Sequence, residues 1–386
     1  MVKLSKKIQS LPSYLFAEID KAKRRARARG RDIIDLGVGD PDTPTPKYII
    51  EALCQAAKDP SHHRYALDQG MPALRQAIQG WYKRRFDVNL NPNTEILPLI
   101  GSKEGLAHFP LAFLNTGDYS LVPDPCYPPY RGGTILAGGK PFSLPLLEQN
   151  SFLPDLRMIP SSIRKRAKLI YINYPNNPTS ATAEIDFYRQ VVAFALKNRI
   201  LVLSDLAYSE MAFDGYRPDS VLQVEGAKEA VVEFHSLSKT FNMTGWRIGW
   251  ASGSKEAITA LGKVKSNVDS GIFSAVQVAG IAALEGPDRH IKNMCRLYQQ
   301  RRDTLIRHLD ALGLQVEPPK ATFYVWVKIP RKIPSIQFAR MLLDKADIVV
   351  TPGVGFGRYG EGFIRMALTI PQERIEEAVQ RLKKVL

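Results

Sequence analysis

Between residues 46 and 286, short apolar runs rich in β-branched residues recur seven times, at 96–101, 119–123, 142–145, 169–173, 200–204, 231–234 and 248–251. Helical periodicity fills most of the gaps, notably 71–85, 104–114, 184–197 and 254–266. A run that is apolar at nearly every position suits a strand buried on both faces, and a helix after each strand returns the chain to extend a parallel sheet. The expectation is an α/β fold built on a seven-stranded, mostly parallel sheet with helices on both faces. The connection from Phe234 to Ile248 is too short for a helical crossover, so the last strand is expected to be antiparallel.

The flanks read differently. A polar lead, a turn at Pro12 and an amphipathic helix around 16–29 precede a short strand, IIDLGVG at 33–39, and a stiff connection, DPDTPTP at 40–46. After residue 286 come a long helix at 288–312, strands at 321–329, 348–351 and 363–367, and helices at 335–345 and 372–385. These form a smaller α+β unit. A chain of 386 residues exceeds what one core usually serves. The expected domains are an N-terminal arm that joins the small domain (1–45), a large domain (46–286) and a C-terminal small domain (287–386).

Composition excludes several classes. Apolar residues at 45% and charged residues at 24% are those of an ordinary globular protein, which sets aside disorder. No run is long and apolar enough to cross a bilayer, and the start lacks a secretory signal, so a cytoplasmic protein without a membrane partner is expected. Cys54, Cys126 and Cys295 are odd in number and far apart, which fits neither a disulfide framework nor a metal site. The net charge of +15 would suit nucleic acid, yet the basic clusters at 21–31 and 164–168 and the pair Arg301 and Arg302 lie on helical periodicity without interleaved aromatics. They read as solvated helix faces.

Polar residues collect where the strands end, which is where such sheets present ligands. Strand 169–173 is followed by Tyr-Pro-Asn-Asn-Pro at 174–178, strand 200–204 by Asp205-Leu-Ala-Tyr208, and strand 231–234 by a loop carrying Ser236-Leu-Ser-Lys239. Earlier, strand 96–101 feeds Ser102 and Lys103 at a helix start, and strand 119–123 feeds Asp124-Pro-Cys-Tyr127. Lys239 alone reads as a solvated loop lysine, and Asp205 alone as a helix N-cap. Beside Ser236, Ser238 and Arg247, however, Lys239 suits an amine that forms a Schiff base next to a bound phosphate. Val38 and Gly39, at the end of the first strand, leave N–H groups open to a carboxylate, although these two residues alone serve a plain turn equally well.

Together with Arg365 in Gly-Phe-Ile-Arg-Met, these motifs resemble those of pyridoxal-phosphate aminotransferases of fold type I, class I, over nearly the whole chain. The resemblance implies pyridoxal 5'-phosphate as cofactor. It assigns the Schiff base and the proton transfer to Lys239, the pyridine nitrogen to Asp205, the phenolic oxygen to Asn177 and Tyr208, and the ring face to Tyr127. Ser102, Lys103, Ser236, Ser238 and Arg247 would hold the phosphate, together with Tyr65 from a second subunit, so a homodimer with shared sites is implied. Arg365 would clamp the substrate α-carboxylate, with Gly39 and Asn177 beside it. Two departures stand out: Ser180 replaces a glycine usual in the family, and Leu206 follows Asp205 where a polar or small residue is frequent. Ser180 is expected to stiffen its turn, and neither to touch a group that does chemistry.

Longer stretches, among them LPSYLFAEIDKAK, IDLGVGDPDTPTP, LIGSKEGLAHFPLAF, EFHSLSKTFNMTGWRIG and GKVKSNVDSGIF, are similar to the LL-diaminopimelate aminotransferase branch. That branch makes LL-diaminopimelate from tetrahydrodipicolinate with glutamate as amino donor, in lysine biosynthesis. By the same likeness Asp68, in Tyr-Ala-Leu-Asp-Gln-Gly, matches a position where the branch can carry a glutamate that meets the substrate's distal ammonium. A solvated loop residue or helix cap serves Asp68 equally well. Aspartate, alanine and aromatic aminotransferases share the core motifs and remain the alternative within the class. A non-catalytic cofactor-binding regulator is the alternative outside it.

Overall fold

The structure, a computed structural model, describes residues 2–12, 15–66, 68–314, 316–330 and 332–386. Ser13, Tyr14 and Leu67, which fall inside stretches quoted above, lie outside the described residues. Ile34–Asp35 form the first strand, β1. The central run then supplies β2 (Ile96–Leu99), β3 (Tyr119–Asp124), β4 (Lys140–Pro145), β5 (Ala167–Ile172), β6 (Leu201–Asp205), β7 (Val231–Ser236) and β8 (Gly249–Gly253). These make one sheet in the order β2-β8-β7-β6-β5-β3-β4. The expected seven strands form, and β8 runs antiparallel to β2 and β7 while the other pairs are parallel.

Side chains alternate across a strand, so a strand apolar at each position feeds two cores at once. Ile170 and Ile172 of β5, with Val202 of β6 and Val231 of β7, pack with the helices Pro72–Phe86, Ile185–Asn198 and Ser274–Glu285 on one face. Leu169 and Tyr171, Leu203, and Val232 and Phe234 point the other way, into a core shared with Ser102–His108 and Lys255–Lys265. Covering both faces buries the sheet interior, where the Glu233 carboxylate in the middle of β7 is met by hydroxyls of Tyr82, Ser204 and Ser220.

A further core gathers the long helix Arg289–Ala311, the helices Ser335–Ala346 and Gln372–Leu382, and the strands β9 (Tyr324–Lys328), β10 (Ile348–Val349), β11 (Thr351–Pro352) and β12 (Phe363–Ala367). Ile34 and Leu36 are buried in it. The strand expected at 348–351 is divided: β10 pairs in parallel with β1, and β11 pairs antiparallel with β12. Pro352 has no N–H to donate, which ends the second ladder after two residues. The strand expected at 33–39 has a ladder only at β1, but Leu36 continues the pattern, donating to Val349 O at 2.8 Å and accepting from Ala367 N–H at 2.7 Å. The Ser236-Leu-Ser-Lys239 segment, expected as a loop, is a single helical turn, Leu237–Thr240. Ser236 caps that turn by accepting the Ser238 N–H at 3.1 Å.

Candidate active site

A cavity of about 530 Å³ opens where β5, β6 and β7 end. Its wall includes Gly39, Ser102, Lys103, Tyr127, Asn177, Asp205, Tyr208, Ser236, Ser238, Lys239, Arg247 and Arg365, all of them singled out from sequence. Tyr65 and Asp68 are not on it. Tyr65 is 91% exposed, and Asp68 faces a separate cavity with Gln69, Arg75 and Asn93.

Lys239 leaves the helical turn after β7 and donates to the carbonyl of Gly39 at 3.0 Å, across the cavity mouth from the N-terminal segment. Burial pushes its amine down to about 8; Asp40 opposes the shift, while Arg365 and Arg247 add to it. A lysine amine so placed is still mostly protonated at pH 7, but its neutral, nucleophilic fraction is far larger than that of a free lysine.

Asp205 is the last residue of β6 and is buried. Its Oδ2 accepts the phenol of Tyr130 at 2.7 Å, whereas Oδ1 is buried with no partner among the described residues. Burial raises the carboxyl to about 6, against the opposing bonds from Tyr130 and the Ala207 N–H. The carbonyl of Asp205 accepts from Asn173 Nδ2 at 2.7 Å, and Asn173 Oδ1 in turn accepts the N–H of Asn177 at 2.8 Å. One asparagine thus couples the end of β6 to the Asn-Pro turn after β5. Sequence reasoning missed Tyr130 and Asn173. Tyr130 lies three residues after Tyr127, one helical turn on, which was the available signal. Leu206 is buried in the core on the face opposite Tyr130, so an apolar residue fits there.

Arg365 stands on β12, the middle strand of three, paired to Thr351 on one side and Trp326 on the other. Its guanidinium is buried and gives N–H bonds to two neutral acceptors, Asn177 Oδ1 at 2.7 Å and Gly37 O at 2.8 Å. The rings of Tyr324 and Phe356 lie 4.0 and 4.7 Å from its carbon. Tyr324 also accepts the Tyr208 hydroxyl at 3.2 Å, and burial lifts the Tyr208 phenol well above its ordinary value. Tyr324 and Phe356 line the cavity too, and were missed because each sits in a run that reads as core.

At the other end of the cavity the serines of the β7 turn face the start of helix Ser102–His108. Gly101 precedes that helix at φ 80°, and a Cβ there would lie 2.2 Å from Nη2 of Arg247. Arg247, on the short link between β7 and β8, donates to Thr244 O at 2.7 Å. Hydroxyls, opening-turn N–H groups and an arginine thus share one stretch of the cavity wall, a set of groups able to hold an anion.

The family model of aminotransferases of class I and II matches residues 31–382. The chain is 55% identical over 381 residues to the LL-diaminopimelate aminotransferase of Syntrophobacter fumaroxidans, covering 99% of this chain and 98% of that one. It is 53% identical over 382 residues to the enzyme of the same name from Moorella thermoacetica, with 99% and 98% covered. Among solved structures, substrate-bound BacF from Bacillus subtilis superposes with a TM-score of 0.95 at 39% identity, covering 100% of this chain and 98% of that one. Enzymes of this family work with pyridoxal phosphate and act on an amino acid and a 2-oxo acid. With one core match over its whole length and the strand-end motifs gathered on a single cavity, the chain belongs to the class I and II aminotransferases and is an enzyme of fold type I.

Proposed function

We propose that this enzyme binds pyridoxal 5'-phosphate in the Lys239 cavity and transfers an amino group between LL-diaminopimelate and 2-oxoglutarate, in the direction of LL-diaminopimelate synthesis from tetrahydrodipicolinate and glutamate. The observation that carries the cofactor reading is the buried, unpartnered Oδ1 of Asp205 on the cavity wall, since a buried carboxylate oxygen calls for a cationic N–H. The anion-binding end formed by Ser102, Lys103, Ser236, Ser238 and Arg247 suits the phosphate. The substrate reading rests on the relatives that carry that name over their full length.

The cofactor, when bound, supplies an electrophilic carbonyl and a ring that draws electrons from the substrate Cα. Asp205 would keep the ring nitrogen protonated by offering it Oδ1, and Tyr130 fixes that carboxylate through Oδ2. Lys239 Nζ takes the substrate's Cα proton and returns it on the other side of the transfer, a task for which an amine near pH 8 is matched. Arg365 receives the α-carboxylate on its planar fork, next to Gly39 and Asn177. Tyr208 and Asn177 would hold the ring through its phenolic oxygen, and Tyr127 would pack against it. Residues 46–286 then hold the cofactor, while 287–386 with 1–45 carry Arg365. Tyr65 and Asp68 serve the site of a second subunit, Tyr65 at the phosphate and Asp68 at the distal ammonium of diaminopimelate.

Purified protein should show a visible cofactor band that bleaches with glutamate or LL-diaminopimelate and returns with 2-oxoglutarate. Lys239→Ala should lose turnover by several orders of magnitude. In the same assay Asp68→Asn should cost LL-diaminopimelate about 2 kcal/mol in kcat/KM, the scale of one charge-assisted bond, with glutamate little changed. A preference for aspartate, alanine or aromatic donors over LL-diaminopimelate would replace the substrate reading. A band that no amino donor bleaches would replace the enzyme's proposed chemistry altogether.

A further inference from the structure

The turn that begins at Asn177 and Pro178 reaches Ser180, whose φ of 61° lies in the left-handed region. Facing it, Thr322 holds φ 70°. Left-handed backbone is uncommon for residues with a side chain, and more so for a β-branched one, so the surroundings must hold both in place. Their hydroxyls do this jointly with Tyr324. Thr322 Oγ1 donates to Ser180 Oγ at 3.1 Å, Ser180 Oγ donates to the carbonyl of Tyr324 at 2.6 Å, and the N–H of Tyr324 donates to Thr322 Oγ1 at 3.1 Å. The three bonds close a ring, and all three residues are buried. β9 is an outer strand of its sheet, so this ring takes the place of a neighbouring strand at Tyr324. A glycine at 180 would adopt the same backbone without strain but could not close the ring.

We propose that Ser180 and Thr322 are positioning residues for the substrate: their hydroxyls fix the peptide of Tyr324, and through its ring they set the guanidinium plane of Arg365. Tyr324 is suited to transmit this. Its ring lies under Arg365 at 4.0 Å, its hydroxyl meets that of Tyr208 at 3.2 Å, and a Cβ on Gly39 would come within 2.0 Å of that hydroxyl. The tyrosine is therefore pressed between the arginine and the N-terminal segment whose Gly37 carbonyl takes the second N–H of Arg365. A fork held on both faces loses little orientational freedom when a carboxylate arrives. Ser180, which looked like a stiffener remote from the chemistry, is two contacts from Arg365.

This inference rests on the reading of Arg365 as the carboxylate clamp, and the test separates the two. Glutarate has the two carboxylates of glutamate and no amino group, so its affinity for cofactor-loaded protein, read from the visible band, reports the clamp without turnover. Pyridoxal phosphate affinity, measured by equilibrium dialysis on cofactor-free protein, reports the other end of the cavity. Ser180→Gly, which keeps the backbone, should weaken glutarate about tenfold, one decade being the scale of a single lost alignment, with pyridoxal phosphate affinity unchanged. Thr322→Ser, which keeps the hydroxyl, should bind both like the wild type. Glutarate affinity untouched by Ser180→Gly, or a fall in both affinities in step, would overturn the proposal. Arg365→Lys in the same titration tests the underlying reading: if it binds glutarate as the wild type does, the clamp itself is misassigned, whatever Ser180→Gly shows.

Discussion

A carboxylate oxygen buried without a donor weighs on the folded chain until a cation arrives, and Asp205 is in that position. Its carboxyl sits at about 6 rather than 3.8 because burial disfavours the charge. With the folded value above the unfolded one, the folded protein keeps the extra proton across that window. Stability therefore falls as pH rises from about 4 to 6, and the full penalty applies above it. In cofactor-free protein Asp205→Asn should thus raise stability by about 3 kcal/mol at pH 8 and change little near pH 4, while the loaded variant loses transamination. Urea unfolding at the two pH values reads the first effect. Equal stability at pH 8 would mean that Oδ1 has found a donor. At this scale the sequence displayed the groups proposed to react, because Asp205 and Lys239 are charged residues at or just past the ends of apolar strands and Arg365 interrupts one. It hid their supports: Tyr130 and Tyr324 act by touching another side chain and Asn173 by bonding backbone groups of two other segments, and nothing in their local sequence says which.

Among the elements, the turns at the strand ends decide the site. Gly101 lets the chain enter helix Ser102–His108 at φ 80° while Arg247 passes over its α-carbon. Gly101→Ala should cost about 1 kcal/mol of backbone strain. It should also displace the guanidinium, the mobile end of a flexible side chain, and weaken pyridoxal phosphate binding about tenfold, the scale of one charged bond, as equilibrium dialysis would show. Unchanged affinity would remove Arg247 from the anion end. The seven strands of the main sheet were legible because burial on both faces leaves an unbroken apolar run. The single helical turn Leu237–Thr240 was not, since four residues are too few to show a period. The division of 348–352 between β10 and β11 was also hidden: two ladders of two residues each spell the same apolar run as one strand.

For the molecule as a whole, the exposed Tyr65 and the separate placement of Asp68 bear on how sites are completed. If Tyr65 reaches a neighbour's phosphate, mixing an impaired Tyr65→Phe protein with Lys239→Ala should restore up to about a quarter of wild-type activity, because randomly exchanged dimers then contain that share of intact sites. Hybrids that exchange fully and recover nothing would assign Tyr65 to its own subunit. A different consequence lies in the pairing of β1 with β10, which sets Ile34 opposite Ile348. On the ribosome the strands of the seven-stranded sheet are all present once residue 253 has emerged, so the wall bearing Lys239 and Asp205 can close early. The N-terminal segment has to wait for residue 348 before β1 finds its partner, and loop closure over such a separation is slow. A nascent chain therefore acquires the wall bearing Lys239 and Asp205 first and the strand bearing Arg365 last, and the segment of β1 stays open to chaperones through most of synthesis.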